Sequence, residues 1–131
     1  MTGAADPREH AEAQRRLAVY GTLRPGGPNH HHMAGMRGTW TPGVVHGHLH
    51  ESGWGAAMGY PGIVLDPQGP PVPVQLFDSS DLPQHWPRLD AFEGPGYERV
   101  TVTVRTGSGD LAAMIYALAP DAVPDHGPPA G

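Results

Sequence analysis

The 131-residue sequence contains no cysteine and no lysine; its eight basic residues are all arginine. Without cysteine there is no disulfide, thiol nucleophile, iron–sulfur ligand set or cysteine zinc site. Without lysine there is no Schiff base and no Walker-type phosphate loop. Serine is scarce as well. Ser52, Ser79, Ser80 and Ser108 are the whole complement, none sits in a G-x-S-x-G elbow, and Ser108 lies in a hairpin-turn sequence, Gly107-Ser108-Gly109. Nucleophilic catalysis is poorly supplied, which leaves carboxylate or histidine chemistry. A formal net charge of -5 with no basic patch argues against nucleic acid or an anionic membrane surface as partner. Met1 to Arg16 lacks the apolar core of a signal peptide, and no run approaches the ~20 apolar residues of a membrane helix. A soluble cytoplasmic protein is expected.

What the chain has in quantity is glycine (19) and proline (16), beside a hydrophobic content of 38%. That composition favours short elements and many turns within one domain, which at this length buries roughly two-thirds of its unfolded surface. Residues 1–15 are polar and Ala/charge-rich and 120–131 are Pro/Gly-rich. Both are expected to be disordered, flanking a folded domain over 16–119. The nine histidines make the net charge soft, since it rises as pH falls through about 6.5.

Leu17-Ala18-Val19-Tyr20 reads as a short buried strand, and Asn29 as the cap of a brief helical turn reaching Met36. From Thr39 to Glu51 the pattern alternates, with Val45, Gly47 and Leu49 on one face and His46, His48 and His50 on the other. Gly62–Leu65 and Val72–Phe77 are further strands. The period then changes: Leu82, Trp86, Leu89 and Phe92 recur at spacings of 4, 3 and 3, behind an Asp81/Gln84 capping box. This predicts a helix, kinked or divided at Pro87 and stopped by Gly94. Tyr97–Arg105 and Leu111–Leu118 flank a Thr106–Asp110 turn as a β-hairpin. The expected fold is α+β: a small mixed β-barrel or curved sheet with one main helix packed across it. Trp40, Trp54 and Trp86 read as core or pocket wall.

Two motifs carry chemistry. Tyr20-Gly21-Thr22-Leu23-Arg24-Pro25-Gly26 is a strand breaking into a glycine turn. It is either an ordinary loop or a nest of free N–H groups suited to a carboxylate or phosphate, with Arg24 adding a charged fork. Leu89-Asp90-Ala91-Phe92-Glu93-Gly94 ends the helix with Glu93 beside the apolar stripe. Glu93 is either a solvated residue paired with Arg88 or Arg99, or a carboxyl raised in pKa by burial, the helix dipole and Asp90. Raised in that way, it takes and releases a proton near neutral pH. A histidine metal site is the weaker reading of His46, His48, His50 and His30–His32, because alternate residues on a strand diverge by about 6–7 Å per step. No metal or cofactor is expected.

In order and pairing these motifs resemble the γ-glutamylcyclotransferase family, specifically its AIG2-like branch. That family carries a Y-G-T-L turn after the first strand, then L-D-x-F/L-E-G and Y-x-R; here these are Tyr20–Leu23, Leu89–Gly94 and Tyr97-Glu98-Arg99. Gly47-His48-Leu49 and Gly59-Tyr60-Pro61-Gly62 are weaker echoes, and Pro73-Val74-Gln75 departs from the Gly-Glu pair of relatives. The resemblance implies a γ-glutamyl small-molecule substrate, cyclised to 5-oxoproline with release of an amine. It implies Glu93 as general acid/base and Tyr20, Gly21, Thr22 and Leu23 around the substrate carboxylate, to which Arg24, from the reading of the turn itself, is added. Tyr97 joins the substrate-binding set, and Tyr60, with His48 and Trp54, is a candidate for the pocket of the leaving portion. The acidic surface favours a neutral or basic leaving amine over glutathione. The alternatives are a non-catalytic carboxylate- or γ-glutamyl-binding module of the same fold and a histidine-dependent metal protein. A glycosidase is disfavoured because Asp90 and Glu93 share one helix. Oligomeric state is not legible in the sequence.

Overall fold

The computed structural model describes residues 11–20, 33, 35–50 and 61–119. Among the described residues, after a helical stretch at 11–13, the elements are β1 (Arg16–Val19), β2 (Thr39–His50), β3 (Gly62–Leu65), β4 (Pro71–Asp78), α1 (Leu82–Glu93), β5 (Tyr97–Thr106) and β6 (Gly109–Leu118). The strands hydrogen-bond in the order β3-β2-β4-β1-β6-β5, and β5 returns to β2 through Val44 and Arg105. Five strands therefore close into a barrel, with β3 attached to β2 as an extra strand. All pairings are antiparallel except β1 with β6, where Leu17 and Ala18 lie beside Met114 and Ile115. The expected mixed α+β barrel with one main helix is the observed architecture.

The alternation of side chains along a strand explains why Leu17–Val19 of β1 and Leu111–Leu118 of β6 carry apolar or aromatic side chains on both faces. Ala18, Ala113, Ile115 and Ala117 point into the barrel with Val45, Val72, Val74, Leu76 and Val104. Their neighbours Leu17, Val19, Met114 and Tyr116 point outwards under α1, against Leu82, Trp86 and Leu89. Both faces of these central strands are thus buried. The interior is dominated by alanine and valine because a five-stranded barrel leaves little room at its axis.

Several local expectations need correction. Residues 11–15, expected to fray, contribute to the fold: Ala13 is fully buried, and the Arg15 carbonyl accepts a 2.8 Å bond from Ser79 N–H. The helix is continuous from Leu82 to Glu93 despite Pro87. Pro83 and Pro87 both stand on its exposed face, so the carbonyl that Pro87 leaves without an N–H partner is open to water. No capping box forms. Asp81 is already helical at φ -84°, and its carboxylate instead accepts from the Arg37 N–H at 2.9 Å. Leu49 is 36% exposed, since β2 there has passed beyond the barrel and pairs with β3 alone. The hairpin turn is tighter than expected: β5 and β6 extend to Thr106 and Gly109, leaving only Gly107 and Ser108 between them, with Gly109 at φ +118°. The turn expected from Asn29 to Met36 lies largely outside the described residues.

Gly47 marks a close crossing. The link 66–70 binds β2 through Asp66 N–H to the His46 carbonyl and Gly47 N–H to the Pro70 carbonyl, each at 3.1 Å. A Cβ at Gly47 would stand 2.6 Å from the Val64 carbonyl oxygen, so no side chain fits. Leu89, with no exposed surface, joins helix to barrel. Leu89→Ala is expected to cost about 2–5 kcal/mol in urea unfolding, with the fold retained by circular dichroism.

Candidate active site

The buried face of α1 carries Leu82, Trp86 and Leu89. Continued by one more helical step, that face reaches residue 93 rather than 92, giving spacings of four, three and four. Phe92, assigned to the stripe by its hydrophobicity, is 37% exposed, and Glu93 occupies the next inward position. A carboxyl therefore stands where an apolar side chain would complete the helix–barrel contact. Burial, and secondarily the like charge of Asp90 three residues earlier, push its pKa up to about 7 from 4.5. The helix ends immediately after it, with Gly94 at φ +80° and its N–H on the Asp90 carbonyl at 3.0 Å.

Three tyrosines belong to this neighbourhood. The charge of Glu93 acts on both Tyr20 and Tyr116, and that of Tyr97 acts on Tyr20; burial is the main reason both Tyr20 and Tyr116 are held well above the ordinary phenol pKa. Tyr20 follows β1 directly and braces three elements. Its hydroxyl donates to the Tyr116 carbonyl at 2.5 Å and accepts from Ile63 N–H at 3.1 Å. Tyr97, at the start of β5, donates to the Pro61 carbonyl at 2.6 Å. The hydroxyl protons of Tyr20 and Tyr97 are thus given to the protein's own backbone. Both grip the 61–63 segment and fix the start of β3 against the barrel mouth.

Asp90 has a different role from Glu93. Arg99 on β5 meets it with a two-pronged contact, Nε to Oδ1 at 2.9 Å and Nη2 to Oδ2 at 3.2 Å, and Tyr116 donates to Oδ1 at 2.6 Å. Burial works to raise the Asp90 pKa, but these donors and the Arg99 charge outweigh it and leave the carboxyl below its ordinary value. Arg99 also reaches Gln14 Oε1 at 3.0 Å and lies 4.4 Å from the Trp86 ring centroid. The Trp86 indole N–H donates to the Gln14 carbonyl at 3.0 Å. Among the described residues no ion pair involves Glu93. Arg99, one of its two expected partners, is committed to Asp90, and Arg88 contacts His85. Tyr116 and the Arg99–Asp90 pairing were not singled out by the sequence. The only signal was a phenol at one position of an otherwise apolar strand.

Glu93 lies near enough to Tyr20 for its charge to act on that phenol. Gly21, Thr22, Leu23 and Arg24 themselves lie outside the described residues, as do Trp54 and Tyr60. His48 is exposed and pairs with Asp66 at 3.0 Å, while His46 Nδ1 lies 3.0 Å from the Gly69 carbonyl. Among the described residues no three metal-ligating side chains converge. A groove of about 350 Å³ runs between β2, β5 and the end of β3, past His46, Asp66, Thr101, Thr103 and Arg105, and none of the site residues named above lines it. No helix among the described residues is long and apolar enough to cross a membrane.

A raised carboxyl pKa has a sign in stability. Between pH 4.5 and about 7 the folded state keeps a proton on Glu93 that the unfolded chain releases, so stability falls as pH rises across that window. Glu93→Gln is therefore expected to match the parent near pH 4 and to exceed it above pH 7. The excess, discounted for partial exposure, is on the order of 1–2 kcal/mol by urea unfolding.

Comparison with known proteins agrees with the fold. The chain resembles the crystal structure of YkqA from Bacillus subtilis at 30% identity and a TM-score of 0.60, over 79% of this chain and 35% of that one. It therefore spans about a third of the length of that protein. An uncharacterized protein of Pyrococcus horikoshii gives 25% identity and a TM-score of 0.56, with 79% and 76% covered. An AIG2-like protein of Mus musculus shares the fold at 22% identity and a TM-score of 0.63, with 82% and 81% covered. Comparison with the curated proteins finds no match. The family model described as gamma-glutamyl cyclotransferase, AIG2-like, matches residues 17–130, from β1 through the strand, helix and hairpin that carry Tyr20, Glu93 and Tyr97; the chain belongs to that family.

Proposed function

We propose that this protein is a γ-glutamylcyclotransferase that cyclises a γ-glutamyl amine or amide to 5-oxoproline and releases the free amine, with Glu93 as general acid/base. The observation that carries the proposal is the Glu93 carboxyl: half-buried, free of an ion pair among the described residues, and titrating at about 7. Such a group is ionised often enough to accept a proton at neutral pH and protonated often enough to return it.

The reaction asks little else of the side chains. The substrate's own α-amine attacks its γ-carbonyl, forming the ring C–N bond, and the bond to the leaving amine breaks as the tetrahedral intermediate collapses. Glu93 takes one proton from the attacking nitrogen and delivers it to the departing one, so charge and atoms balance without an enzyme nucleophile. A chain with no cysteine and no serine elbow is suited to this chemistry. The glycine turn after Tyr20 would hold the α-carboxylate through its N–H groups, folding the substrate for attack. Positioning of this kind supplies up to ~7–11 kcal/mol. Further N–H groups of the turn would steady the developing oxyanion. Tyr20 and Tyr97 would line the pocket with their rings, and Tyr60 would receive the leaving portion. The soluble, cytoplasmic setting expected from the sequence suits a small-molecule substrate.

The test is a panel of γ-glutamyl amines assayed for 5-oxoproline by mass spectrometry. At least one is expected to be turned over, with kcat/KM falling about tenfold per pH unit below the Glu93 midpoint. Glu93→Gln is expected to lose on the order of 10²–10⁴ in rate while remaining folded. A fully active Glu93→Gln protein would refute the acid/base assignment. A γ-glutamyl compound that raises Tm yet stays intact would identify a binding module instead.

A further inference from the structure

We infer that Asp90 is a positioning residue for Glu93: by engaging the Arg99 guanidinium it both pins the last turn of α1 to the β5–β6 hairpin and keeps Arg99 from pairing with Glu93. The inference rests on Glu93 being the acid/base and adds a specific task for its neighbours.

The geometry is the argument. Asp90 and Glu93 stand three residues apart on one helix, a spacing that places side chains as neighbours. Two carboxylates in the last turn oppose the helix dipole, and α1 has no basic residue of its own there. The compensating charge comes across the interface from β5. Arg99 lies along the Trp86 ring and reaches Asp90 one turn further on, with its Nη1 donating to Gln14. A guanidinium held on three sides in this way, with Tyr116 completing the set, has little freedom to swing by one residue. Were it to reach Glu93, the carboxylate would be locked in its ionised form and would be a poor proton donor to the leaving amine. Around Glu93 stand Asp90 on its own helix, whose charge acts on it directly, and Tyr116 on β6 and Tyr20 after β1, on which its own charge acts. Arg99 is the cation that β5 brings to this turn, and Asp90, the neighbour of Glu93 on the helix, occupies it.

Opposite signs distinguish this task from mere bracing. Asp90→Asn keeps the shape of the side chain but removes a like charge and frees Arg99. The Glu93 midpoint, followed by ¹³C NMR on glutamate-labelled protein, is expected to fall by about one pH unit or more. With the γ-glutamyl amine turned over best, kcat should fall about tenfold at little change in KM. Asp90→Glu restores the charge and should return the midpoint towards that of the parent. Arg99→Gln leaves Asp90 uncompensated and should move the midpoint upwards. Both substitutions would loosen the same contact, so shifts in the same direction, or no shift in either, would overturn the inference. If Asp90→Asn fails to fold, the upward shift in Arg99→Gln decides the matter alone. An active Glu93→Gln protein would defeat the parent reading separately, because the titration is read at the carboxyl and not from turnover.

Discussion

A helix laid across a barrel must bury one face, and in this protein the last position of that face is an acid. Leu82, Trp86 and Leu89 seal α1 onto β1 and β6, and the same helical step then carries Glu93 inwards. Desolvation of a carboxylate is costly, so the group responds by holding its proton to a higher pH. Its poise near neutrality thus follows from where the helix ends relative to the barrel. A helix one residue shorter or rotated by one position would place Phe92 or Gly94 there and leave no carboxyl at that position. Burying the acid at α1's end therefore costs some stability at neutral pH, a cost that the proposed acid/base role would offset.

The surrounding groups are arranged around that exchange. Asp90, on the same turn, receives two donors from Arg99 and one from Tyr116 and is held ionised; Glu93 receives no cation among the described residues and is held near its midpoint. Neighbouring carboxyls are pushed apart in pKa by their partners, a separation typical of sites that move protons. Tyr20 ties the end of β1 to β6 and β3 with a single hydroxyl. Since β1 is buried on both faces and pairs with β4 and β6, Tyr20 is anchored to the same sheet that carries the helix. The acid and Tyr20 are therefore both tied to that sheet.

Much of this was readable in the chain, for physical reasons that differ by element. The apolar runs of β1 and β6 and the change of period at Leu82 report burial directly, so the strands, the helix and the mixed barrel follow from them. The upward shift at Glu93 was foreseeable from its place beside an apolar stripe and near Asp90. The spacing of 4, 3 and 3 misplaced Phe92, because steps of three and of four both fit a helical stripe and hydrophobicity chose between them; the phase of Leu82, Trp86 and Leu89 selects 93. Pro87 misled in the same way: its effect depends on which side of the helix it stands, and that side faces water. The Arg99–Asp90–Tyr116 cluster was not legible because it joins residues up to 26 apart through a fold that a single sequence does not display. Leu49 fell outside the barrel for a topological reason, the excess length of β2 over its partners.

The lack of nucleophilic side chains and the poise of one acid converge on a restricted chemistry. A site with no cysteine, no lysine and no serine elbow is suited to a nucleophile drawn from the substrate or from water. For water to be activated and a leaving group protonated on opposite faces, two carboxyls must stand across a cleft; here the second carboxyl is on the same helical turn and tied to Arg99. An intramolecular nucleophile escapes that requirement, because attacking and departing nitrogens share one carbon in the tetrahedral intermediate. One carboxyl can then serve both in succession, provided that its proton affinity sits between those demands. Glu93 meets that condition through burial, and Asp90 adds to it by proximity. The internal-cyclisation reading thus draws its force from how few groups the fold supplies, and from the fact that this reaction is satisfied by so few.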